Sequence, residues 1–157
     1  MNITALDLNF LSLPDTIAAY LIQGPEGHVL VETGPASTLA ALKEQLAKHG
    51  LTLSDIKHVL VTHIHLDHSG AAGWLAQGGS QIYVHEVGAP HLIDPSRLLT
   101  SAGRIYGDRM HELWGETVAA PAENVKVVKD GDVIEAAGLQ FTAINTPGHA
   151  WHHHTYR

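Results

Sequence analysis

The chain has 157 residues, 45% hydrophobic and 16% charged, which suits one globular domain over residues 1–157 and excludes a disordered tail. Nine Lys and Arg against sixteen Asp and Glu give a net charge of −7, which argues against nucleic acid or an anionic membrane as partner. Cysteine is absent, so disulfides, thiolate zinc sites and cysteine nucleophiles are excluded, while thirteen histidines point to a metal site of nitrogen and oxygen ligands.

Residues 1–14 lack the basic start and unbroken apolar stretch of a secretory signal. No run of about 18 apolar residues occurs, so a cytoplasmic chain without a membrane span is expected. Residues 17–22 and 29–31 read as two strands joined by a turn at Gly24, Pro25 and Gly27. Ser37 or Thr38 caps a predicted helix carrying Leu39, Leu42 and Leu46, and Gly50 ends it. A strand over 58–61, a helix over 71–76 and a strand over 82–84 follow. That alternation predicts parallel pairing in a layered α/β sheet. From 95 to 114 the apolar spacing predicts one amphipathic helix, weakened by Gly103 and Gly107; it either faces the core or walls a substrate pocket. Beyond Pro121 a meander of short strands is expected at 125–128, 133–134 and 139–144, with a turn at Asp130 and Gly131.

The strand at 58–61 runs directly into Thr62-His63-Ile64-His65-Leu66-Asp67-His68. Loops at the carboxyl ends of strands are where α/β folds build their sites. In extended chain, residues two apart point the same way, so His63 and His65 can converge on one ion. Asp67 and His68 lie where the chain turns towards the next helix and can serve a second ion. Chance would produce this pattern in roughly four chains per thousand of this composition, so it is read as a site. The strand at 139–144 ends in Asn145-Thr146-Pro147-Gly148-His149, whose tight exit presents His149 as the third ligand of the first ion. Imidazole and carboxylate donors suit Zn, Fe or Mn.

His63-x-His65-x-Asp67-His68, followed later by Thr146-Pro147-Gly148-His149, resembles the metallo-β-lactamase superfamily, especially its glyoxalase II-like hydrolases. The Glu32-Thr33-Gly34 turn resembles the family's Asp-Thr-Gly, with Glu in place of Asp as a carboxylate that can stand behind the metal ligands. The resemblance implies an αββα sandwich. It assigns His63, His65 and His149 to metal one, and Asp67 and His68 to metal two. It also implies a bridging Asp and a last His further along. Every Asp here lies at or before Asp132, so the chain is expected to be the N-terminal half to two-thirds of such a fold. An incomplete sandwich exposes a sheet face, so poor solubility or association into homo-oligomers is expected.

The implied chemistry is hydrolysis of a small-molecule ester, thioester or lactone. Two divalent ions about 3.5–4 Å apart, Zn as first expectation, lower the pKa of a shared water, and Asp67 accepts a hydrogen bond from the nucleophile. Asp followed by His68 resembles thioesterases and lactonases, and the net charge of −7 disfavours polyanionic substrates. Two alternatives are an iron oxidoreductase similar to persulfide dioxygenases and an inactive fragment or half-site completed by another chain. His85 is read either as a residue of the site rim or as a surface turn. His152, His153 and His154 could supply stray ligands, but the stronger reading is the approach to a strand, with at most alternate side chains inward. His28, His49, His58, His91 and His111 are read as surface or packing residues; Arg97, Arg104 and Arg109 could meet an anionic substrate group but are read first as a solvated helix face.

Overall fold

The computed structural model describes residues 2–157. Its first sheet has six strands in chain order: β1 (Asn2–Asp7), β2 (Ala18–Gly24), β3 (Gly27–Val31), β4 (His58–Leu60), β5 (Gln81–His85) and β6 (Val125–Val128). β1–β2 and β2–β3 are antiparallel, and the remaining pairs are parallel. Turn length decides this. Pro25 and Glu26 alone separate β2 from β3, which closes a hairpin, whereas β3 to β4 is a long crossover containing α1 (Leu39–Ala47). The predicted parallel pairing therefore holds for β3 to β6. The sequence reading did not find β1.

Three more helical stretches complete the crossovers: α2 (Leu66–Ser69) with α3 (Ala72–Gln77), α4 (Ala89–Ile93), and α5 (Ser96–Tyr106) with α6 (Met110–Trp114). A sheet that grows strand by strand with crossovers of one hand collects its helices on one face. Alternation along the strands then sorts the core. Leu21, Leu30, Val59, Ile82 and Val84 meet Leu42, Leu46, Leu75 and Leu92 of the helices. Their chain neighbours Ile22, Val29 and Leu60 point to the opposite face, against Ile134, Ala136, Phe141 and Ala143. That second face is covered by a three-stranded antiparallel sheet of β7 (Val133–Ala136), β8 (Leu139–Asn145) and β9 (His154–Tyr156).

Three expectations need correction. The stretch 125–144 is not one meander: β6 joins the first sheet beside β5, and the reversal at Asp130–Gly131, where Gly131 has φ +84°, carries the chain into the second. The predicted 95–114 helix is broken at Gly107, whose φ of +53° a helix cannot continue, while Gly103 stays helical. Thr38 stands at the helix start without capping it, because its hydroxyl donates to the carbonyl of Pro35. No helix among the described residues is long and apolar enough to cross a membrane.

The parallel layer packs closely at Gly73 in α3. A Cβ there would lie 1.9 Å from the backbone oxygen of Val118. Gly73→Ala gains about 1 kcal/mol of helix propensity, but backbone cannot move aside cheaply. A net destabilisation of about 1–3 kcal/mol is expected, seen as a melting point lower by roughly 3–10 °C.

Candidate metal centre

Because β3, β4 and β5 are parallel, their carboxyl ends lie on one edge of the sheet. Glu32 follows β3, the 61–68 segment follows β4, and His85 closes β5. The second sheet brings a fourth loop to this edge. β9 is bound to the exit of β4 by the backbone N–H of His154 donating to Thr62 O (2.8 Å) and the Tyr156 hydroxyl donating to Val61 O (2.8 Å). The loop 146–153 between β8 and β9 therefore hangs over the 61–68 segment.

There the ring nitrogens of His63, His65 and His149 lie within 4.8 Å of one another. His63 is 1% exposed; its Nδ1 pairs with the Thr62 hydroxyl at 2.9 Å, and its Nε2 is buried without a hydrogen-bond partner. Leaving such a nitrogen unpaired costs about 1–3 kcal/mol, and a cation among these three imidazoles supplies the missing partner. Burial first, and the surrounding imidazoles second, push the His63 pKa down to about 3, so its lone pair is free at neutral pH. His65 is lowered by burial and by His149, and its Nδ1 lies 3.0 Å from His149 Nε2. The donor set and the orphaned nitrogen fit a divalent metal.

Asp67 and His68 sit in α2, off the extended part of the motif. Burial lowers the His68 pKa, but hydrogen bonds to Asp67 and Glu32 outweigh it and raise the pKa to about 10. A cation taking His68 Nε2 must displace that proton. Asp67 is held below the usual carboxylate range chiefly by its hydrogen bond with His68.

His152 and His153 lie on the approach to β9, which His154 opens, as read from the sequence, but adjacent rings and not only alternate ones face the histidine cluster. The His153 ring centroid lies 5.1 Å from that of His63, and the His152 centroid lies 5.9 Å from that of His65. His154 is wholly buried, with its ring centroid 4.6 Å from that of His85, which is itself 6% exposed and not a surface turn. The signal was in the chain, three adjacent histidines at the start of a strand, but the hairpin that folds them inward is a tertiary contact. His58 stacks on Tyr83, and the predicted solvated face holds, since Arg97, Arg104 and Arg109 are exposed.

Beside the histidines a groove of about 430 Å³ opens between His65, Asp67 and His149 on one side and Leu98, Ala102, Ile105, Tyr106 and Trp114 on the other. The 95–114 segment does both things read for it: Leu98, Ala102, Ile105, Tyr106 and Trp114 line this groove, while Leu98 also packs against the core. Within α5 only Ala102 is buried.

Residues 13–156 match the metallo-beta-lactamase superfamily. The chain belongs to that superfamily. It is 31% identical over 136 residues to the lactamase-like protein adaB of Aspergillus niger, a match covering 85% of this chain and 32% of that protein. A metallo-beta-lactamase family protein from Thermus thermophilus superposes with a TM-score of 0.74 at 28% identity, over 98% of this chain and 55% of the other. BJP-1, a subclass B3 metallo-beta-lactamase of Bradyrhizobium japonicum, superposes with a TM-score of 0.73 at 29% identity, over 99% and 53%. The chain thus spans about a third of the curated relative and about half of each solved structure. The two facing sheets with helices outside the first are the N-terminal part of the family's sandwich.

Proposed function

We propose that this chain carries the metal-binding part of a hydrolase acting on the carbonyl of an ester, thioester or lactone with an apolar portion. The observation that carries this reading is the convergence of His63, His65 and His149, from two separate loops, at the floor of an apolar groove. These three residues would hold one divalent cation, and Asp67 with His68 would contribute to a second, with Zn the first expectation for such donors. Such cations, when bound, lower the pKa of water towards neutrality and polarise the carbonyl under attack.

The chain's own groups supply the rest. Asp67 stays ionised beside His68 and faces the groove, positioned to accept a proton or hydrogen bond from an attacking water. Leu98, Ile105 and Tyr106 orient the apolar part of the substrate and exclude water from it. Trp114 fixes this wall, packed edge-on against Tyr106 at 5.0 Å and stacked on Phe10 at 5.9 Å. The net charge of −7 disfavours phosphodiesters of nucleic acids.

The test is turnover of a panel of esters, thioesters, lactones, a phosphodiester and a β-lactam by protein depleted of metal and then resupplied with Zn, Mn or Fe. Loss on chelation, recovery with metal and preference for an apolar ester or thioester are expected. Turnover that ignores chelation overturns the reading, and preference for the β-lactam reassigns the substrate to an amide.

A further inference from the structure

We infer that the groove beside the metal centre takes one straight aliphatic acyl chain of about eight to ten carbons, laid along α5, with Ala102 setting its depth. This rests on the hydrolase reading above and names its substrate class. Leu98, Ala102, Ile105 and Tyr106 line the groove, at the i, i+4, i+7 and i+8 positions of α5. That spacing places them in one stripe along the helix. The stripe is about 12 Å long at about 1.5 Å per residue, and an extended chain advances about 1.3 Å per methylene, so the stripe covers about nine carbons. By volume the groove of about 430 Å³ has room for more, since a methylene takes about the 30 Å³ of a water molecule. Length is the tighter limit.

Charge and aromatic packing select the occupant. Among the described residues, the groove's imidazoles and carboxylate, His65, Asp67 and His149, lie on the metal side, while α5 and α6 line it with uncharged side chains. The complementary ligand is polar where it meets the metal centre and uncharged along the rest, as an acyl group is. A ring would need an open aromatic face to stack on. Here those faces are turned on one another: Trp114 stacks on Phe10 with planes 20° apart, and Tyr106 meets it edge-on at 71°. Leu98, Ala102 and Ile105 offer the groove aliphatic surface, which suits methylenes.

Ala102 is the specificity-determining residue. It is 8% exposed and lies one turn from Leu98 and one turn from Tyr106, in the middle of the stripe. Its methyl group leaves space that a longer side chain would fill from the floor. Ile105 forms the lip and is 75% exposed, so it gains burial when a chain lies against it.

The experiment is calorimetric titration of the whole protein, with Zn and in excess chelator, by butanoate, hexanoate, octanoate, decanoate and dodecanoate, with phenylpropanoate against nonanoate as the aromatic comparison. Affinity is expected to rise about two- to fourfold per added methylene up to about nine carbons and then to level off. The slope should be the same with Zn and in chelator, since α5 and not the cation supplies it. Ala102→Leu brings about three carbons into the floor and should lower the levelling point by about three. Ile105→Ser, at an exposed site, should cost decanoate about tenfold and butanoate less than about twofold. Thr100→Ala, exposed on α5 and outside the groove, should change neither. Affinity that ignores chain length, wild-type dependence in Ile105→Ser, or tighter binding of phenylpropanoate than of nonanoate overturns the inference. So does a folded Ala102→Leu protein with the wild-type levelling point. Chain-length dependence without turnover of any ester, thioester or lactone sinks the hydrolase reading instead, and the groove keeps its aliphatic occupant.

Discussion

Replacing His149 by Ala is expected to remove most of the stabilisation that a divalent cation gives the protein, while leaving the metal-free fold as it was. His149 is exposed, on the loop between β8 and β9, and its ring contacts are His65 and His63. Its truncation therefore opens no core cavity but takes away one of three convergent nitrogens. Orienting groups behind a ligand are worth about 10–100-fold in affinity, so the ligand itself is worth at least about 100-fold. A cation at about 1,000 times its dissociation constant adds roughly 4.1 kcal/mol to unfolding. Weakened 100-fold, the same concentration adds about 1.4. For a chain of this size the difference is roughly 5–10 °C of metal-induced melting shift.

Thermal melts with chelator and with Zn check this for wild type, His149→Ala, His65→Ala and the exposed His111→Ala on α6. His111→Ala should keep the full shift, and both ligand variants should lose most of it together with more than about 100-fold of turnover. A full shift in His149→Ala would remove it from the centre. His63→Ala is the poorer probe, because His63 is buried and its loss weakens the metal-free protein as well.

The metal-free protein should also lose stability as the pH falls from about 6.5 towards 4, and His154 should account for a large share. His154 is wholly buried, and both its ring nitrogens lack partners. Burial, and then the adjacent His85 imidazole, lower its pKa from 6.5 to about 4. The folded state thus refuses a proton that the unfolded chain accepts. The stability is complete above pH 6.5 and declines as the pH drops through the window between the two values. At about 1.4 kcal/mol per unit the loss between pH 8 and pH 4.5 is of order 2–3 kcal/mol, a large fraction of an ordinary domain's 5–15. Urea unfolding in chelator at both values, for wild type and His154→Gln, isolates the effect. Gln carries no titrating group, so its unfolding free energy should fall less by that amount. Equal pH dependence in the two proteins would show that the buried imidazole is not the cause.

The ligand motif was legible in the chain because its information is local. His63 and His65 are two residues apart in extended backbone, Asp67 and His68 lie where the helix begins, and a strand at 58–60 delivers them to a sheet edge. His149 was legible for the same reason, thrown outward by Thr-Pro-Gly after a strand rich in apolar alternation. The hairpin of β2 and β3 and the parallel run from β3 to β5 likewise follow from runs of apolar residues and the lengths of the connections between them.

Other features were settled only by folding. Val125–Val128 reads like its neighbours in sequence, and nothing local says that it pairs with β5 while Val133–Ala136 goes to another sheet. The inward turn of His152, His153 and His154 depends on β9 docking against Thr62 and Val61. The reach of Glu32 to both Thr62 and His68 depends on a left-handed residue at the end of β3. Spacing along the chain dictates which side chains leave a strand together. Only the docking of distant strands, driven by burial of the Leu60, Ile134 and Phe141 faces, decides which of those side chains meet.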